Sequence, residues 1–174
     1  MKFLLFFYIA FCSLISSVQA ADLAIGKPVP TFEIKTLDGK LITPASAKGR
    51  VLVINLWATW CAPCRKELPA IEEFYQQYHE QGVDVVAVSL DDRSAIGEVK
   101  SVMKAFSFTA AMEKDAELQR FGRIWRVPVT FVIDQNGILR RNGWEGDPSV
   151  DKAILEKIVV PLLAPLVSAQ TSNH

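Results

Sequence analysis

Apolar and polar residues alternate along Phe32-Glu33-Ile34-Lys35 and again along Lys40-Leu41-Ile42-Thr43, with Asp38-Gly39 between them. That pattern predicts a β-hairpin. Pro44 to Arg50 reads as a loop or a single turn. Val51 to Leu56 is then a β-branched apolar run of the kind expected in a strand covered on both faces. The period changes after Cys64. Leu68, Ile71, Phe74 with Tyr75, and Tyr78 recur at spacings of three and four, with Glu72, Glu73, Gln76 and Gln77 on the other side. This predicts an amphipathic helix that Gly82 ends.

Val83 to Ser89 predicts a second buried strand, and Asp91-Asp92 opens a helix over about Ser94–Phe106. Thr109–Met112 reads as a short strand, and Asp115–Phe121 as a further helix. Val129–Ile133 and Ile138–Arg141 flank Gln135-Asn136-Gly137, a hairpin turn. Ser149–Leu163 predicts a terminal helix. Strands alternating with helices indicate one α/β domain over 21–164, with residues 165–174 as a loose tail. There is no internal repeat or linker.

The first twenty residues follow a different rule. Lys2 precedes the apolar stretch Phe3–Ile15, and Val18-Gln19-Ala20 supplies the small residues of a cleavage site. Residues 1–20 therefore read as a secretory signal peptide. The alternative is an uncleaved membrane anchor, because Phe3–Val18 is only slightly short for a span. Either way the body is expected outside the cytoplasm, in the periplasm or an equivalent compartment.

Composition narrows the function. The 174 residues carry 19 basic and 19 acidic side chains, so the formal net charge is zero. Removing Lys2 with the leader makes it −1, and no basic surplus is left for neutralising nucleic-acid phosphates. Charged residues at 22% and hydrophobic residues at 50% exclude a disordered body. Cys12 goes with the leader and has no expected role in chemistry. Of the three cysteines, Cys61 and Cys64 remain, as one C-x-x-C.

That pair lies between a buried strand and a helix start. Free backbone N–H groups and the positive end of the helix dipole stabilise a thiolate there. Pro63 fits the first turn, which has no use for its missing N–H. Cys61 is expected to be the exposed nucleophile and Cys64 the buried thiol that resolves a mixed disulfide. A zinc site would need two more ligands, and only His79 and His174 are on offer.

The run Val53-Ile54-Asn55-Leu56-Trp57-Ala58-Thr59-Trp60-Cys61-Ala62-Pro63-Cys64-Arg65-Lys66-Glu67-Leu68-Pro69 closely resembles the thioredoxin superfamily, most of all its exported TlpA/ResA-like, DsbE-type branch. Pro69 matches the family's helix-kinking proline, and Val127-Pro128-Val129-Thr130-Phe131 its cis-proline segment. The resemblance implies a central mixed sheet flanked by helices, with an N-terminal hairpin extension. It implies a cis Pro128 facing the Cys61 sulfur and a Val127 backbone free to pair with an extended substrate. Trp60, Ala62, Pro63 and Val127 would contact substrate, with an ordinary core tryptophan as the lesser alternative for Trp60.

Asn55 stands where cytosolic thioredoxins hold a buried aspartate, and Asn cannot ionise. Glu67, three residues after Cys64 on the same helical face, is the substitute expected from the resemblance. The alternative is a solvated glutamate beside Lys66. Thr59 is two residues before Cys61, so a peroxidase-type T-x-x-C is absent. His79 reads as solvated, and Trp125 and Trp144 as packing residues.

The resemblance implies a monomeric disulfide reductase without a cofactor. Its clients would be proteins such as apocytochrome c or metal-site cysteines, and its electron donor a membrane protein of the DsbD or CcdA type. A net oxidase or isomerase, or a copper-binding assembly module, are the alternatives. Ala62-Pro63 lacks the histidine of strongly oxidising C-P-H-C sites, and copper would want a C-x-x-x-C with a histidine or methionine cluster.

Overall fold

A computed structural model describes residues 23–163. The expected leader with Cys12, and the expected tail, lie outside the described residues. In chain order the elements are β1 (Glu33–Thr36), β2 (Leu41–Ile42), β3 (Val51–Trp57), α1 (Ala62–Tyr78), β4 (Val83–Ser89), α2 (Ile96–Met103), β5 (Thr109–Glu117), β6 (Val129–Ile133), β7 (Leu139–Arg141) and α3 (Lys152–Val159). The strands form one sheet in the order β2-β1-β5-β4-β3-β6-β7. Strands β3, β4 and β5 run parallel, and the outer strands attach antiparallel. The sheet is mixed, as expected.

Strand β3 is apolar almost throughout because each face has its own cover. Val51, Val53 and Trp57 pack with Leu68, Ile71 and Phe74 of α1, Val99 of α2, and Leu155 and Val159 of α3. Leu52, Ile54 and Leu56 point the other way, into a cluster with Phe32, Phe121, Phe131 and Leu139. Asn55 shares the odd-numbered series and so faces α1. It is the single polar residue of the strand.

Two predicted hairpins form where the alternation placed them. The β6–β7 turn is tied by Asp134, whose carboxylate accepts from the Asn136 and Ile138 amides at 2.9 Å each and from Arg140 Nε at 2.8 Å. Burial raises the Asp134 pKa, but those bonds outweigh it and hold the carboxyl below its ordinary value.

The predicted helix over Asp115–Phe121 is not formed. Residues up to Glu117 continue β5, pairing Glu117 with Glu33 and Ala116 with Ile34, and only a 3-10 turn follows at Gln119–Phe121. Pairing with a strand distant in sequence satisfies the backbone and buries Phe121 edge-on to Phe32, ring centroids 5.6 Å apart. Two other helices are shorter than predicted. Arg93–Ala95 is a 3-10 turn before α2, and α3 starts only after Asp151, whose side chain caps it by accepting from the Ile154 amide at 2.7 Å.

Gly143 shows how tightly the loop after β7 meets the sheet. A Cβ built there would lie 2.4 Å from Val129 Cγ1 and 2.8 Å from the Thr130 backbone N and O. Gly143→Ala is expected to lower stability by about 3 kcal/mol through overpacking against backbone that cannot swing aside. Urea denaturation checks this, and an unchanged midpoint at equal slope would refute it.

Candidate functional site

Three chain segments meet at one end of the sheet. The parallel register of Trp57 with Ser89 brings the ends of β3 and β4 together, and the antiparallel register of Leu56 with Val129 brings the start of β6 beside them. The loop from Ala58 to Trp60 is fixed by Asp91, just past β4. Its carboxylate accepts from the Thr59 amide at 2.9 Å, the Thr59 hydroxyl at 2.6 Å and the Ser89 hydroxyl at 2.6 Å. Burial pushes this carboxyl up, yet the bonds from Ser89 and Thr59 hold it below its ordinary value. The sequence marks Asp91 only as the opening of a helix, and nothing local signals its grip on Thr59.

Cys61 is the N-cap of α1, with Pro63 in the first turn. The Cys64 amide donates to Cys61 Sγ at 3.2 Å, one of the helix's free N–H groups directed at sulfur. Cys61 and Cys64 are joined by a disulfide with Cα atoms 5.3 Å apart. Cys64 is 1% exposed and Cys61 6%. Cys64 is buried as expected, but Cys61 is buried too rather than exposed, and its amide donates to the Ala58 carbonyl at 3.1 Å. Ala62 and Pro63, by contrast, are exposed at the helix start.

Glu67 is 5% exposed, so it is no solvated surface glutamate. Its Oε1 accepts from Asn55 Nδ2 at 2.9 Å and from the Thr130 hydroxyl at 3.3 Å, and Asn55 Nδ2 also donates to Thr130 Oγ1 at 3.0 Å. Burial raises the Glu67 pKa to about 7, against the Val150 backbone, Thr130, Arg141 and Asn55, which all favour the carboxylate. A carboxyl poised near neutrality, one helical turn from Cys64, can give or take a proton at working pH. Asn55 and Glu67, singled out separately in the sequence, are thus one hydrogen-bonded unit. Thr130 is its third member, and sequence pattern alone did not mark it.

The Val127–Pro128 peptide bond is cis. Pro128 is buried, Val127 half-buried, and the register of β6 against β3 sets them opposite the end of β3. Trp60 is 68% exposed, which removes the alternative of a core tryptophan. Trp57 fills that role. Trp125 is also 68% exposed, contrary to the reading of it as a packing residue. Its indole stacks on Trp144 with centroids 6.3 Å apart, and the Arg126 guanidinium lies 4.9 Å from its ring centroid. Arg126 Nη2 donates to the Gly143 and Trp144 carbonyls at 3.1 and 3.0 Å, which anchors the guanidinium over the exposed ring. Trp144 does pack, with its Nε1 donating to the Phe121 carbonyl.

His79 lies far from the cysteines, and it is not simply solvated. Arg50 Nη2 approaches its Nδ1 at 3.3 Å while Arg50 Nε pairs with Asp84 at 2.8 Å. Among the described residues no group of three or more His, Cys, Asp or Glu is placed to hold a metal ion. Among the same residues no helix is long and apolar enough to cross a membrane.

Comparison with known proteins agrees with this geometry. Over 115 residues the chain is 36% identical to the thiol-disulfide oxidoreductase ResA of Bacillus thuringiensis subsp. konkukian (strain 97-27), covering 65% of each. The chain thus spans slightly less than two thirds of the length of that relative. A thiol:disulfide interchange protein of the thioredoxin family from Chlorobium tepidum TLS is similar in structure, with a TM-score of 0.66 and 29% identity, over 81% of this chain and 99% of that one. StoA from Bacillus subtilis matches with a TM-score of 0.52 and 28% identity, over 67% of this chain and 87% of that one. The fold is thioredoxin-like, and a family model covers residues 25–142. By that match the chain belongs to the AhpC/TSA family.

Proposed function

We propose that this protein is an extracytoplasmic thiol–disulfide oxidoreductase that reduces disulfides of client proteins. The observation that carries the reading is the Cys61–Cys64 pair at the N-terminus of α1, beside a buried Glu67 and a cis Pro128. Cys61 thiolate attacks one client sulfur. A Cys61–client disulfide forms, the client S–S bond breaks, and one client thiolate leaves. Cys64 then gives its proton towards Glu67 and attacks the Cys61 sulfur. The mixed disulfide breaks, the second client thiolate leaves, and two electrons have passed to the client. The enzyme is left with the Cys61–Cys64 disulfide and needs a reductant before the next turnover.

The roles follow the geometry. Trp60 and Trp125 offer exposed aromatic faces to a client, Ala62 and Pro63 are exposed next to Cys61, and Val127 would present backbone to an extended client. The leader pattern at 1–20 supports an oxidising compartment, where a membrane donor of the DsbD or CcdA type would resupply electrons. Haem-site cysteines of apocytochrome c and metal-site cysteines are the client classes that the family resemblance favours, and a monomer suffices for the chemistry.

Cys64→Ala is the test. It keeps the nucleophile and removes the resolving thiol, so a client adduct on Cys61 should accumulate in the native host, run as a reducible higher band and vanish with dithiothreitol. Absence of any such adduct, with Cys61 still titrating as a free thiol, would sink the reading.

A further inference from the structure

Arg141 closes β7, the edge strand of the sheet, where a charged side chain ordinarily faces water. Its register is against Val132, whose side chain belongs to the cluster beneath α1. Cross-strand partners share a face, so Arg141 turns in towards α1, on the side that carries Asn55 and Thr130. Its Nε is buried with no hydrogen-bond partner among the described residues, while Nη2 donates to the Asp147 carbonyl at 2.5 Å. Glu67 shows the complementary pattern. Its Oε1 is occupied by Asn55 and Thr130, and its Oε2 is buried without a side-chain partner among the described residues, with the Val150 backbone as its one neighbouring donor.

A buried donor and a buried acceptor of opposite charge, neither with a side-chain partner among the described residues, thus lie on one side of the sheet. Each acts on the other: Arg141 favours the Glu67 carboxylate, and Glu67 favours the Arg141 guanidinium. The other neighbours of Glu67 contribute no such charge. Asn55 from β3 and Thr130 from β6 are neutral, and the segment after β7 brings the Val150 backbone, with the Asp147 carboxylate beside Arg141 itself. On α1, Arg65 and Lys66 are exposed and Cys61 and Cys64 are the redox pair. On α3, Lys152 and Glu156 pair with each other, and Glu156 also accepts from Tyr78 at the far end of α1.

We propose that Arg141 is a positioning residue that favours the ionised, proton-accepting form of Glu67 against its burial and so sets the pH range in which Cys64 can resolve the mixed disulfide. This rests on the reading that Glu67 takes the Cys64 proton. Removing the guanidinium leaves the carboxylate with neutral partners only. The acceptor is then protonated at a pH where the parent protein still works, and the resolving step slows on the acid side.

The experiment follows single-turnover release of a reduced peptide from its disulfide across pH 5–9. It compares the parent protein with Arg141→Gln, Arg141→Lys, Glu67→Gln and the Glu67→Gln/Arg141→Gln double variant. Arg141→Gln is expected to move the acid limb up by about one pH unit, the lower end of the effect of one nearby opposite charge. Arg141→Lys should restore most of the parent profile, and the double variant should match Glu67→Gln alone. A carbon-13 titration of the Glu67 carboxyl in the oxidised protein should show the same upward shift. If Arg141→Gln does not fold, Arg141→Met keeps the buried stem and takes its place.

An unmoved acid limb and carboxyl titration in a folded Arg141 variant would overturn the proposal. An equal shift in the Glu67→Gln background would overturn it as well, since Arg141 would then act elsewhere. If Glu67→Gln alone keeps the parent's limb, the failure lies in the proton role of Glu67, and the proposal falls with it.

Discussion

Cys61→Ala is expected to lower disulfide exchange by at least about a thousandfold, the scale on which an enzyme loses rate when its covalent nucleophile is removed. The described chain has no substitute. Cys64 is the other thiol of the body, and it is covered to 1% exposure beneath the helix start. The Cys64 amide donates to the sulfur of Cys61 and to no other, so the thiolate-stabilising end of α1 is aimed at one position. The contrast with Cys64→Ala is what makes the result specific. That variant should still react once and stay joined to its client, whereas Cys61→Ala should form no adduct at all. Peptide-disulfide reduction measured with both variants checks this. A Cys61→Ala rate within tenfold of the parent would place the nucleophile elsewhere.

Glu67→Gln is expected to stabilise the oxidised protein above neutral pH. The carboxyl titrates near 7 in the fold, against 4.5 for the free side chain, so its protonated form is the one the interior favours. A raised carboxyl pKa means that stability is fullest below about pH 4.5, falls as pH rises, and levels off once pH passes the folded value. The difference of roughly two and a half pH units corresponds to about 3 kcal/mol. Glutamine stays neutral throughout and can keep an oxygen towards Asn55 and Thr130. The two proteins should therefore unfold at similar urea concentrations at pH 4 and diverge by about that amount at pH 8.5. Coincident curves at pH 8.5 would show that the ionised carboxylate is not strained by its burial. The site residue is thus expected to cost stability in the pH range where it accepts protons.

Local signals were enough for much of the fold. The β-branched run of β3, the change from a period of two to 3.6 after Cys64, and the glycine turns at Gly39 and Gly137 are set by near neighbours, and the structure follows them. The C-terminal half of β5 was not legible, because its strand state depends on β1, which lies far away in sequence. The same reason explains the site. Cys61 and Cys64 lie three positions apart in the chain, and Pro128 and Glu67 were expected from family resemblance. Thr130 joins them only through the β3–β6 register, and Asp91 only through the β3–β4 register. The exposure of Trp125 depends on Trp144 and Arg126 holding its ring, which no window of sequence around Trp125 displays.

The segment from Asn142 to Val150 touches Thr130, Trp125, Arg126 and Arg141 without containing a single reacting atom. Gly143 lies against the Thr130 backbone, Trp144 supports Trp125, and the carbonyls of Gly143 and Trp144 anchor Arg126. The Asp147 carbonyl anchors Arg141. Divergence among proteins that share the same Cys-Ala-Pro-Cys would then be easiest here. Substitutions in this one loop could change client preference and working pH together, leaving the cysteines and their helix untouched. Two such proteins in one compartment could divide their labour without any change in the motif that classifies them.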